Sequence, residues 1–74
     1  MKATLTFDLP QESTEHRLAL NGAGYYAALV DLDNRIRDNM KYEEMDTRER
    51  RRLELVRDWL NESLSTHGVT LEEP

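Results

Sequence analysis

The chain has no cysteine, one tryptophan, one phenylalanine, three glycines and two prolines. Without cysteine there are no disulfides and no thiolate metal sites. Lysine is nearly missing, present only as Lys2 and Lys41. Basic residues are outnumbered, 10 against 15 acidic, for a formal net charge of -5. That balance favours solubility and opposes non-specific binding to duplex nucleic acid. No apolar run approaches the ~20 residues of a membrane span. Lys2 leads into an alternating stretch and not into the apolar segment of a signal peptide. The expected location is the cytoplasm, with no membrane partner.

What is present is spaced for helices. In Gly22 to Tyr42, Tyr25, Leu29, Leu32, Ile36 and Met40 recur at steps of three and four, on one face of a helix. Asp31 with Arg35 and Asp33 with Arg37 are spaced as i,i+4 pairs on its flanks. This predicts a central helix over about 24–41, with Asn21 to Gly24 as a breaker before it. Further on, Asp46-Thr47-Arg48-Glu49 reads as a capping box. It opens a second long helix over about 47–66. Leu53, Val56, Leu60 and Leu64 form its stripe, and Leu55 and Trp59 widen that stripe on one side. His67-Gly68 ends it, with Gly68 suited to the left-handed position.

The N-terminal stretch alternates instead. Ala3, Leu5, Phe7 and Leu9 interleave with Lys2, Thr4, Thr6 and Asp8, the period of a half-buried strand over 2–8. A lone strand needs a partner. Either the tail around Val69-Thr70-Leu71 or the same strand of a second copy would supply it. Asp8 or Leu9 near an N-cap and Pro10 in the first turn predict a short helix over about 10–20.

The expected fold class is therefore mainly α. It is one small domain over 1–74, an antiparallel two-helix hairpin with a short N-terminal helix, an N-terminal β-strand and an acidic tail over 69–74. A short link between long helices makes them antiparallel neighbours. A chain of 74 residues buries little of its surface and is marginal alone. Self-association is expected, with a dimer favoured.

Two features stand out as candidate sites. Arg48, Arg50, Arg51 and Arg52 crowd the first turns of a helix, where the dipole disfavours positive charge. Arg48 shares a face with Arg51 or Arg52, so two guanidinium groups can clamp a phosphate or carboxylate. The plainer reading is a solvated face neutralised by Glu43, Glu44, Asp46 and Glu49. Trp59, the only tryptophan, is either core or an anchor at a partner interface. The second feature is Gly22, Gly24, Tyr25 and Tyr26. A glycine turn opening a helix leaves amides free for an anion, and the tyrosines can stack on a base. The plainer reading is a tight turn with packed tyrosines.

Other constellations fail. Asp31-x-Asp33 has the spacing of a calcium loop, but Ile36 and Tyr42 stand where that loop needs Gly and Glu. His16 and His67 do not make up a metal set. No cofactor, no metal and no catalytic set is expected, so the chain reads as a non-enzyme.

The run Lys2-Ala3-Thr4-Leu5-Thr6-Phe7-Asp8-Leu9-Pro10, then Leu18 to Gly22, then Tyr25-Tyr26-x-Ala28-Leu29-x-Asp31-Leu32-Asp33, resembles a group of small proteins of tailed bacteriophages. The resemblance covers roughly residues 2–42. It implies a protein of the bacterial host cytoplasm that binds a host or phage macromolecule, often blocking a host enzyme or defence factor. The first expectation is thus a non-enzymatic interaction protein that regulates or inhibits a protein partner through Arg48, Arg51, Arg52 and Trp59. The alternatives are a binder that sequesters a nucleotide or other phosphate-bearing signal at Gly22 to Tyr26, and a weak nucleic-acid-associated protein. The acidic total opposes the last.

Overall fold

The computed structural model describes residues 1–72. It contains two helices, α1 (Ser13–Tyr42) and α2 (Thr47–Thr66), joined by a short link and folded back as an antiparallel hairpin. At ~1.5 Å per residue, α1 is about 45 Å long and α2 about 30 Å. The hairpin is accordingly asymmetric, and the first turns of α1 extend past the end of α2. Its long axis measures 52 Å. The radius of gyration is 16.9 Å, where about 11 Å is usual for a compact chain of this length.

The separate helices expected over 10–20 and 24–41 are one helix. Gly22 and Gly24 do not break it, and neither has a positive φ. Each glycine costs a helix up to about 1 kcal/mol relative to alanine. Good formers on both sides, Leu18, Ala19 and Leu20 before and Ala23, Ala27, Ala28 and Leu29 after, outweigh that cost. The start also moves. Residues 9–12 form turns, and Glu12 is the N-cap without a side-chain cap bond. Pro10 lies before the helix, where its carbonyl accepts from the Ser13 hydroxyl at 2.6 Å.

The expected strand over 2–8 does not form, and no strand exists among the described residues. Its backbone finds no extended partner, because Val69 to Leu71 lie elsewhere. The segment instead folds along the projecting turns of α1. Phe7 packs on His16 with ring centroids 5.4 Å apart, and Leu5, Phe7 and Leu9 line a shallow groove with His16, Ala19 and Leu20.

The second helix starts and stops where its sequence directs, with the Asp46 half of the expected capping box formed and no return bond from the Asp46 amide to the Glu49 side chain among the described residues. Asp46 Oδ1 accepts from the Glu49 amide at 2.8 Å. At the other end Gly68 takes φ +70. Its N–H donates to Ser65 O, and that of Val69 donates to Leu64 O at 2.9 Å. This is the paired-bond stop of a helix with a left-handed residue after it. The tail is described to Glu72. The rest of the expected acidic tail, Glu73 and Pro74, lies outside the described residues.

The seam between the helices differs from the apolar stripes. On α2 it runs Arg50, Leu53, Arg57, Leu60 and Leu64, all part-buried. Arg57 takes the place expected for Val56. On α1 it runs Leu29, Asp33, Ile36 and Met40, while Tyr25 and Leu32 stay exposed. Two polar contacts explain the rotation. Arg57 Nε donates to Asp33 Oδ1 at 3.0 Å across the seam. Asp33 therefore pairs with α2 and not with Arg37. Arg50 donates to the Met40 carbonyl near the end of α1, where a cation also suits the helix dipole. Asp31 and Arg35 pair within α1 at 3.3 Å, in solvent. Ile36 is the one buried hydrophobic side chain among the described residues.

The tail gives the hairpin two unlike faces. Tyr26 Oη donates to the Leu71 carbonyl at 2.9 Å. Thr70, Leu71 and Glu72 line a cleft with Val30, Asp33, Arg37, Arg57 and Asn61. That face is polar and partly covered. On the opposite face, Tyr25 and Leu32 are about half exposed and Val56 somewhat less, with no described residue of the tail over them.

Candidate partner-binding site

The Arg48 to Trp59 segment can be placed by periodicity and exposure together. Leu55 and Trp59 do not widen the inner stripe. They sit about half a turn round α2 from the seam residues, with Trp59 56% and Leu55 47% exposed. Arg48, Arg52, Leu55 and Trp59 follow one another at steps of four, three and four. That spacing puts them in a second row along the outside of the same helix. Arg51 flanks the row, and Thr47, Arg48, Arg51, Arg52 and Leu55 line a shallow groove.

The four arginines of the run thus separate. Arg50 turns inward to the α1 terminus. Arg48, Arg51 and Arg52 face out. Among the described residues, no carboxylate lies within 4.0 Å of those three guanidinium groups; the ion pairs formed are Asp31–Arg35 and Asp33–Arg57. Direct pairing with Glu43, Glu44, Asp46 or Glu49 does not occur. Those acids gather at the link with Met45 and Arg50, and Asp46 serves the α2 cap.

The row joins two kinds of chemistry. At its N-terminal end are three planar cations able to hold carboxylates through paired bonds. One to two turns on are an aliphatic side chain and an indole with much of their surface in water. Arginine and tryptophan beside each other are the residue types that dominate binding at protein interfaces.

No family model, curated protein or solved structure matches this chain. The reading of the site therefore stands on its geometry.

Gly22, Gly24, Tyr25 and Tyr26 do not come together as the second candidate site. They lie in the middle of α1, not at its start. Their amides are spent within the helix on carbonyls four residues back, so none is aimed at an anion. Tyr25 and Tyr26 leave the helix about 100° apart, and the Tyr26 hydroxyl is engaged by the tail. They form no common platform for a base.

No group of three or more His, Asp or Glu side chains among the described residues is arranged to hold a metal ion. No described helix is long and apolar enough to cross a membrane. Sequence reasoning missed the outward position of Leu55 and its place between Arg52 and Trp59. The signal was there as a second seven-residue spacing, offset from the first, in the same twenty residues.

Proposed function

We propose that this chain is a non-enzymatic interaction protein that occludes an acidic surface of a protein partner. It docks the outer row of α2, with Arg48, Arg51 and Arg52 on carboxylates and Trp59 as the apolar anchor. The observation that carries this reading is the company the arginines keep. They crowd a helix N-terminus against the dipole, have no carboxylate among the described residues in reach, and adjoin a half-exposed indole. Placing them there costs the helix stability, and a sequence that breaks a local rule does so most often at a functional site.

Charge steers the encounter and desolvated aromatic contact sets the lifetime. The resemblance of residues 2–42 to small phage proteins supports a partner in a bacterial cytoplasm, either a host enzyme, a defence factor or another phage protein. Inhibition would be steric, since the row offers contacts and no reacting group.

The test is co-purification from an expressing bacterium with the native chain and with Arg48→Glu, Arg51→Glu and Arg52→Glu combined. The native chain is expected to retain one protein stoichiometrically, and the triple variant to lose it with unchanged helical circular dichroism. Equal recovery with the folded variant would remove this surface from the mechanism.

A further inference from the structure

The exposed surface of the whole chain is large for its mass, and the elongated shape, 52 Å along its axis, spreads it along the hairpin. The accessible surface is 6871 Å² for 8.7 kDa. A folded monomer of that mass exposes about 4,700 Å², so the excess is roughly 2,100 Å² per chain. Permanent subunit interfaces bury about 2,000 to 5,000 Å² in all. The excess alone is the size of such an interface.

The side chains on the face opposite the tail are the right kind. Leu18, Tyr25 and Leu32 follow one another at steps of seven on α1 and are 52%, 54% and 49% exposed. With Gly22, Leu29 and Ile36 they complete a row at alternating steps of four and three, the spacing of a helix that packs along a neighbour. Val56 continues the face on α2, and Trp59 stands at its rim. Gly22 lies in the row with nothing within 4 Å of where a Cβ would be. Polar side chains and the tail occupy the other face.

We infer that a second copy of this chain covers the Leu18–Tyr25–Leu32–Val56 face, stacking two hairpins into a four-helix bundle. The occupant is a second copy because the fold itself needs the cover. Among the described residues one hydrophobic side chain is buried and the rest of the seam only part-buried, which leaves little to set against the conformational entropy of ordering some fifty helical residues at about 1 kcal/mol or more each. Whatever covers the face must be present whenever the chain folds, and only the chain itself always is. Arg48 and Arg51 lie away from Val56 round α2, so covering that face leaves them open to a partner. The inference is independent of the proposed partner site.

Sedimentation equilibrium on the native chain tests it, alongside Leu32→Glu and a control, Asn34→Glu, on the tail side. Twice the mass of 8.7 kDa is expected for the native chain and the control, with a melting temperature that rises with protein concentration. Leu32→Glu is expected to give the single-chain mass and to lose helix. Glutamate at a half-exposed helix position costs a lone hairpin little, so loss of helix in that variant itself reports the need for association. A single-chain mass for the folded native protein from micromolar to millimolar concentration overturns the inference. So does any assembly that survives Leu32→Glu.

Discussion

Asp33 and Arg57 meet across the hairpin seam, Oδ1 to Nε at 3.0 Å, with the carboxylate side chain 14% and the guanidinium side chain 32% exposed. Asp31 and Arg35 sit two residues away in sequence from Asp33, at 3.3 Å and largely in water. The two pairs look alike in the sequence and differ in what surrounds them.

That difference predicts a difference in stability. Asp33→Ala leaves a part-buried guanidinium without its acceptor and should cost about 1 to 3 kcal/mol. Asp31→Ala removes an exposed pair and should cost about 0.5 kcal/mol or less. Urea unfolding of both variants, with Arg57→Ala completing a double-mutant cycle on Asp33, measures the contrast. Equal costs for the two aspartates would show that the Asp33–Arg57 contact contributes nothing special.

Two glycine substitutions should act in opposite directions. Gly24 is in mid-helix, away from the seam, with open space at its Cβ position. Gly24→Ala should stabilise the chain by up to about 1 kcal/mol. Gly68 holds φ +70 after α2, and Gly68→Ala should destabilise by about 1 kcal/mol because the Cβ is strained there. Thermal melts of the two variants at one protein concentration decide both signs. A loss of stability in Gly24→Ala would place that residue against something else.

Asp46→Ala should cost about 1 kcal/mol by leaving the Glu49 amide without its acceptor. The loss should be local to α2. Amide hydrogen exchange at residues 47–50 should speed up while the middle of α1 keeps its protection.

Tyr26→Phe keeps the ring and removes the hydroxyl that holds Leu71. The expected cost is about 0.5 to 1.5 kcal/mol, and the readout is the tail. Limited proteolysis after Thr66 should become faster with little change in helix content. An unchanged cleavage rate would mean that other contacts hold the tail against α1.

The sequence carried much of this fold at the level of pattern. The Asp46 cap, the Gly68 stop and the short link at 43–46 use local chemistry that acts over three or four residues, and each lies where it was expected. The joining of two expected helices across Gly22 and Gly24 was not legible that way. It turns on a sum, because two modest glycine costs oppose the gain of continuing a helix through seven good formers. The strand over 2–8 failed for a different reason. Alternation describes one edge of a pair, and among the described residues no second extended segment receives it. At the seam, periodicity pointed to Val56, while the Asp33–Arg57 bond turned Arg57 inward. A charged residue in a helix seam is visible only when the facing residue is known. The Arg48 to Trp59 row differs: its four-three-four spacing was present in the sequence, and assigning Leu55 and Trp59 to the inner stripe hid it.

As far as Glu72 the tail lies on one side of the hairpin, held there by Tyr26. A fluorophore or affinity tag attached near Thr70 would therefore emerge beside Arg37 and Asn61, turned away from Leu32. Reporters placed at that end can follow both proposed associations without obstructing either, whereas one attached close to Tyr25 would stand on the face proposed to pair.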